Sequence, residues 1–286
     1  GKLWLGLQNG IAVIEIPAKV GLFNERSGLK GFVSDVIFLD RSLYVATSSG
    51  VFINSGGDGF RQVEGISTQA WAFETDDERV ICAATDGLFA IYSDGSEKLD
   101  VPAKIYYSIR RSLVNPGVFF LGHENGLIVT RKNGNRLETT GEVMGFNAAV
   151  RYIQEDNKGR VWLGTAYSGL VVLEPDGGSA TGYSVSRKLS KAPSGGGVVE
   201  TKVFVLDGRP VVNIGERTWM LNGNDQLEED PGFLKGIKFT GITSVLDIGK
   251  GEAMVTCYDK GGHVFVVAWD NRKKDVLNRP ELNDIR

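Results

Sequence analysis

Reactive side chains are scarce in this chain. Its 286 residues include only two cysteines, Cys82 and Cys257, and two histidines, His123 and His263. A metal centre needs several converging ligands, so no metal site and no cofactor is expected. The cysteines are too few for a disulfide framework and decide little about redox compartment. No run of about 18 apolar residues occurs, so no segment reads as a membrane-spanning helix. No signal-peptide pattern is present, and no membrane contact by this segment is expected. Neither sign of charge dominates, with 32 Lys and Arg against 35 Asp and Glu. Without a basic stripe, nucleic acid is not an expected partner. Two small basic clusters, Arg187-Lys188 with Lys191 and Arg272-Lys273-Lys274, fall in turn-rich stretches and read as solvated surface. No window has the 3.6-residue apolar period of an amphipathic helix.

What is abundant is glycine, 38 residues of it, and it recurs at the breaks of a short phrase that occurs seven times. A bulky residue, an apolar one, a small one and a variable one precede a brief break, usually ended by glycine, and a second apolar run. The copies are Leu3-Trp4-Leu5-Gly6-Leu7 with Gly10-Ile11, Leu43-Tyr44-Val45-Ala46-Thr47 with Gly50-Val51, and Cys82-Ala83-Ala84-Thr85 with Gly87-Leu88. They continue as Phe120-Leu121-Gly122-His123 with Gly126-Leu127, and Val161-Trp162-Leu163-Gly164-Thr165 with Gly169-Leu170. Two weaker copies are Val211-Val212-Asn213-Ile214 with Arg217-Thr218, and Met254-Val255-Thr256-Cys257 with Gly262-His263. The break residues are spaced by 40, 37, 39, 43, 48 and 45, an uneven period that suits a β-propeller, whose loops vary in length while its strands do not. Because Cys82 and Cys257 fall in the third and seventh copies, a bond between them is not expected.

Period-two alternation marks a strand before most copies, as in Val33–Phe38, Ile105–Ile109, Val150–Ile153 and Ile242–Leu246. Asn-Gly and Asp-Gly pairs such as Asp86-Gly87, Asn125-Gly126 and Asp207-Gly208 supply the positive φ of tight hairpins. Each unit therefore reads as strands a, b, c and d of one antiparallel blade. The bulky position of strand b is expected to pack on the neighbouring blade, and the small position to admit a neighbouring backbone. The expected fold is all-β: one seven-bladed β-propeller of four-stranded antiparallel blades over residues 1–286, the first blade lacking its N-terminal strand. The blades divide approximately at 1–32, 33–70, 71–104, 105–149, 150–197, 198–241 and 242–286. The tail Pro280–Arg286 is an alternative source of the missing strand. The chain opens at Gly1, inside a copy of the phrase, and reads as a piece of a longer polypeptide.

The fifth copy, Val150-Arg151-Tyr152-Ile153-Gln154-Glu155-Asp156-Asn157-Lys158-Gly159-Arg160-Val161-Trp162-Leu163-Gly164-Thr165 followed by Ser168-Gly169-Leu170, resembles the two-component regulator propeller repeat. That repeat runs I-x-x-D-x-x-G-x-[LV]-W-[LIV]-G-T, then G-[LI]. The first copy, Lys2–Leu7 with Asn9-Gly10-Ile11, looks like the same repeat; the other copies are degenerate. The resemblance implies a non-catalytic ligand-sensing module of a bacterial two-component-type signalling protein, periplasmic or extracellular, in a parent anchored to a membrane. It implies an oligosaccharide or other small molecule as the ligand.

Propeller ligands commonly bind loops at one end of the blades. The b–c breaks carry polar groups and an occasional aromatic, suited to hydrogen-bonding sugar hydroxyls and stacking on sugar rings. The candidate ligand-binding residues are His123, Glu124, Asn125, Tyr167, Tyr258, Asp259 and Lys260. No catalytic residue is assigned. The acidic runs Asp76-Asp77-Glu78 and Glu228-Glu229-Asp230 read as exposed turns, and Asp156 as a turn residue bonding its own backbone. Gly195-Gly196-Gly197 follows no strand and opens no helix, so it is not a phosphate loop. Trp269-Asp270 lacks the Gly-His partner that a second propeller family requires. Two other readings remain open: a protein-interaction or homodimerisation platform acting through the parent protein, and a polysaccharide lyase or hydrolase using paired carboxylates.

Overall fold

The structure is a computed structural model. It describes residues 2–277 apart from 8–9, 16–18, 57–58, 93–94, 190–199, 223 and 225. The chain divides into two compact units, Gly1–Val143 and Met144–Arg286.

The first unit opens with a three-stranded antiparallel sheet of β1 (Lys2–Leu7), β2 (Gly10–Glu15) and β3 (Lys19–Phe23). Three four-stranded meanders follow. They are β4 (Val33–Leu39), β5 (Ser42–Thr47), β6 (Gly50–Asn54) and β7 (Arg61–Gln62); β8 (Ala70–Thr75), β9 (Val80–Ala84), β10 (Gly87–Tyr92) and β11 (Gly95–Lys98); and β12 (Tyr106–Arg111), β13 (Val118–His123), β14 (Leu127–Asn133) and β15 (Arg136–Glu142). The second unit holds three more. They are β16 (Val150–Glu155), β17 (Val161–Thr165), β18 (Leu170–Pro175) and β19 (Tyr183–Leu189); β20 (Thr201–Leu206), β21 (Arg209–Ile214), β22 (Arg217–Leu221) and β23 (Leu227–Glu229); and β24 (Gly241–Gly249), β25 (Glu252–Tyr258), β26 (Val264–Asp270) and β27 (Asp275–Val276).

These sheets correct the expectation of seven four-stranded blades. Six four-stranded antiparallel blades are present among the described residues, and the first of them, β4 to β7, is complete. The repeated phrase marks b–c hairpins, and a hairpin does not guarantee four strands. The first copy forms a hairpin, β1–β2, within a three-stranded sheet, so counting phrases overcounts four-stranded blades by one. Pro280–Arg286 lies outside the described residues.

Within each unit the first strand of one blade lies beside the first strand of the next: β4 by β8, β8 by β12, β16 by β20 and β20 by β24. The cores sit between successive blades. Trp162, Leu170 and Val172 of one blade close on Val203, Val212 and Trp219 of the next. Tyr44 and Ala46 pack with Phe73, Val80 and Cys82. Burying a ring such as Trp162 contributes about 2–3 kcal/mol. Cys82 and Cys257 are both buried free thiols.

Polar side chains stitch these layers. Asp35 on β4 accepts from Val36 N at 2.8 Å and from Phe73 N on β8 at 2.7 Å. Glu74 on β8 repeats the device by accepting from Arg111 N on β12 at 3.0 Å, and Asp247 accepts from Asp207 N at 2.8 Å. The Asp35 carboxyl is enclosed between β4 and β8, although the residue keeps some solvent access. Burial foremost, with the charge of Glu74, raises its pKa to about 6 against the pull of its two N–H donors. Unfolded, it titrates near 3.9. Between those values the folded state holds the extra proton, so stability falls as pH rises from about 4 to about 6 and levels off above. Denaturant melts of wild type and Asp35→Asn across pH 4 to 7 are expected to show that slope in their difference. A flat difference contradicts it.

Candidate functional site

The b–c breaks are fixed by short polar turns. Thr47 Oγ1 donates to Gly50 O at 3.0 Å and accepts from Ser49 N at 3.0 Å. Thr165 repeats this with Gly169 O at 2.7 Å and Ser168 N at 2.8 Å. At Gly50 (φ +117°) and Gly169 (φ +80°) the chain reverses in a region that favours glycine. The candidate loops are thus held on rigid strands.

His123, Glu124 and Asn125 lie in the first unit, at the β13–β14 break. His123 is buried. Its Nδ1 accepts from Asn125 N at 3.3 Å, which leaves the proton on Nε2, 3.2 Å from Glu142 Oε1. Burial lowers the His123 pKa, partly offset by Glu142 and Glu124. Glu124 Oε2 is buried without a hydrogen-bond donor, and Asn125 is exposed.

Tyr167, Tyr258, Asp259 and Lys260 lie in the second unit. Tyr167 stands in the β17–β18 break, 76% exposed. Tyr258 ends β25, and a Cβ at Gly241 would run into its ring. The ammonium of Lys202 sits 5.3 Å from the ring centre and donates to Ile242 O at 3.0 Å. Burial lowers the Lys202 pKa, countered by Glu200, and burial raises that of Tyr258. Asp259 accepts from the backbone of His263 (3.0 Å) and Gly261 (2.8 Å), and its Oδ2 lies 3.1 Å from His263 Nδ1. The His263 backbone bond foremost holds its carboxyl below the usual range. Lys260 is exposed, 3.8 Å from Glu216.

Asp259 and Lys260 line an open cavity of about 710 Å³, together with Glu216, Lys238, Phe239 and Thr240. Its rim carries both charges, and Phe239 adds an apolar surface. Buried Thr240 Oγ1 has no hydrogen-bond partner. Glu216 lies in the β21–β22 break, and neither it nor Lys238–Thr240 is among the residues that the sequence singles out. Their signal was position, since they immediately precede strand β24 as a d–a connection. Among the described residues no group of three or more His, Cys, Asp and Glu could hold a metal ion.

Protein-family profiles give no match to the chain, and neither do curated proteins. Solved structures do. The extracellular domain of BT4673 from B. thetaiotaomicron, described as a hybrid two component system, is 17% identical with a TM-score of 0.70 over 93% of this chain. The chain spans 36% of that domain's length. The WD40 β-propeller domain of Doa1 is 11% identical with a TM-score of 0.66, over 96% of this chain and 90% of that one. An ancestral GH74 enzyme is 12% identical with a TM-score of 0.61, over 97% of this chain and 39% of that one. At these identities the likeness shows the fold, a β-propeller of four-stranded antiparallel blades. No helix among the described residues is long and apolar enough to cross a membrane.

Proposed function

We propose that this chain is a non-catalytic, extracytoplasmic ligand-sensing propeller of a bacterial two-component-type signalling protein, with carbohydrate as the ligand class. The carrying observation is the likeness of 93% of the chain to part of the extracellular domain of a hybrid two component system. The two sequence copies that resemble the two-component regulator propeller repeat support it, as do the polar, aromatic-bearing breaks. In this reading the rigid blades present the ligand contacts, and the output belongs to the parent protein. A glycan array and a thermal-shift panel of oligosaccharides test it. At least one saturable ligand is expected, and a folded protein that retains none contradicts the reading.

The GH74 likeness keeps a hydrolase as the second reading. Turnover of a polysaccharide, abolished by one carboxylate substitution, would replace the sensor by an enzyme.

A further inference from the structure

The first strand of five blades carries one extra residue at the same place. Register slips between Val33 and Asp35, Ala70 and Ala72, Tyr106 and Ser108, Val150 and Tyr152, and Ile242 and Ser244. The bulged residues are Ser34, Trp71, Tyr107, Arg151 and Thr243; β20 pairs without a slip. A bulge re-aims its side chain, and bulges recur beside functional sites. In the first unit two successive bulges carry large aromatics. β8 and β12 are neighbours, and the rings of Trp71 and Tyr107 meet at 5.3 Å and 85°, edge to face. Both residues remain partly exposed, whereas Trp162, Trp219 and Trp269 are buried.

Polar groups border this corner. Trp71 Nε1 donates to Thr85 Oγ1 at 3.0 Å, which fixes the indole beside the β9–β10 break. Asp86 follows in that break and accepts from Thr68 Oγ1 at 2.5 Å. Aromatic surfaces at a right angle with a carboxylate at the rim suit a pyranose. Its C–H face stacks on a ring, and a hydroxyl donates to the acid.

We infer that Trp71 and Tyr107 form the stacking platform for one sugar ring of an oligosaccharide, with Asp86 as a hydroxyl acceptor. This rests on the carbohydrate-sensing reading and places its contacts on the bulged strands of the first unit, not in the cavity lined by Asp259 and Lys260.

The test takes the tightest oligosaccharide from the glycan array and titrates it by calorimetry and tryptophan fluorescence. Trp71→Ala and Tyr107→Ala are expected to weaken binding about tenfold each. Lys235→Ala, an exposed change in the second unit, is expected to leave it unchanged. Trp71→Phe, which keeps a ring, guards against misfolding. It is expected to bind within about threefold of wild type while the ligand-induced emission change disappears. Binding that tolerates loss of both rings, or an emission change that survives Trp71→Phe, overturns the platform and leaves the sensing reading standing. An array on which the folded protein retains no sugar overturns both.

Discussion

Replacing Asp156 by alanine is expected to destabilise the protein by about 3–5 kcal/mol, the cost of breaking a buried charge network from one side. Asp156 is 1% exposed and closes the turn between β16 and β17. Its Oδ1 accepts from Lys158 N at 2.9 Å and Arg160 N at 3.0 Å, and its Oδ2 from Arg160 Nε at 2.7 Å and Trp162 Nε1 at 2.9 Å. Alanine removes four acceptor contacts together and leaves the buried indole N–H of Trp162 without its acceptor. Asp156→Asn keeps oxygen for part of this set and is expected to fall between alanine and wild type. Asp77→Ala is the contrast. Its partner Arg111 is 2.5 Å away, but the aspartate side chain is 69% exposed, and water replaces such a contact readily. Urea melts of the three variants check the ranking. Asp156→Ala indistinguishable from Asp77→Ala contradicts it.

Gly164→Ala is the second large effect, expected at the upper end of the about 1–3 kcal/mol that overpacking costs. A Cβ at Gly164 would meet the carbonyl oxygen of Thr201, on the first strand of the next blade, well inside contact distance, and the Tyr152 Cβ at 3.1 Å. The nearest obstacle is backbone, so no side-chain rotation relieves it and the two blades must separate. Thermal melting reads the loss. A variant that melts with wild type would mean that β17 and β20 do not approach as described.

Both positions were legible in the sequence. The phrase repeats place a small residue where a neighbouring backbone passes, and Gly164 occupies it against Thr201. Asp156 was readable as a turn residue, but its bonds to Arg160 and to the Trp162 ring required coordinates. The alternating stretches from Val33, Val150 and Ile242 lie within β4, β16 and β24, and that from Ile105 overlaps β12, which opens at Tyr106. Other features were hidden for physical reasons. Asp76 looked like part of an exposed acidic run, yet it is 1% exposed and clasps Arg79 Nε at 2.9 Å, leaving Asp77 and Glu78 to solvent. Its likeness to the Asp156–Arg160 pair was the available signal. The run Glu228-Glu229-Asp230 is part strand, since β23 takes in its first two residues. Trp71 and Tyr107 were invisible as a pair because a bulge is a mismatch between two partner strands, which one strand's alternation cannot reveal. Of the candidate residues, Asp259 and Lys260 meet at one cavity. His123, Glu124 and Asn125 cluster at a different break.

The most direct test of the sensing account is incubation of the folded protein with the oligosaccharide panel, followed by mass spectrometry of both the retained and the free sugars. The account predicts that at least one oligosaccharide is retained saturably and that every mass is unchanged. Shortened or unsaturated products, or a folded protein that retains nothing, would contradict it.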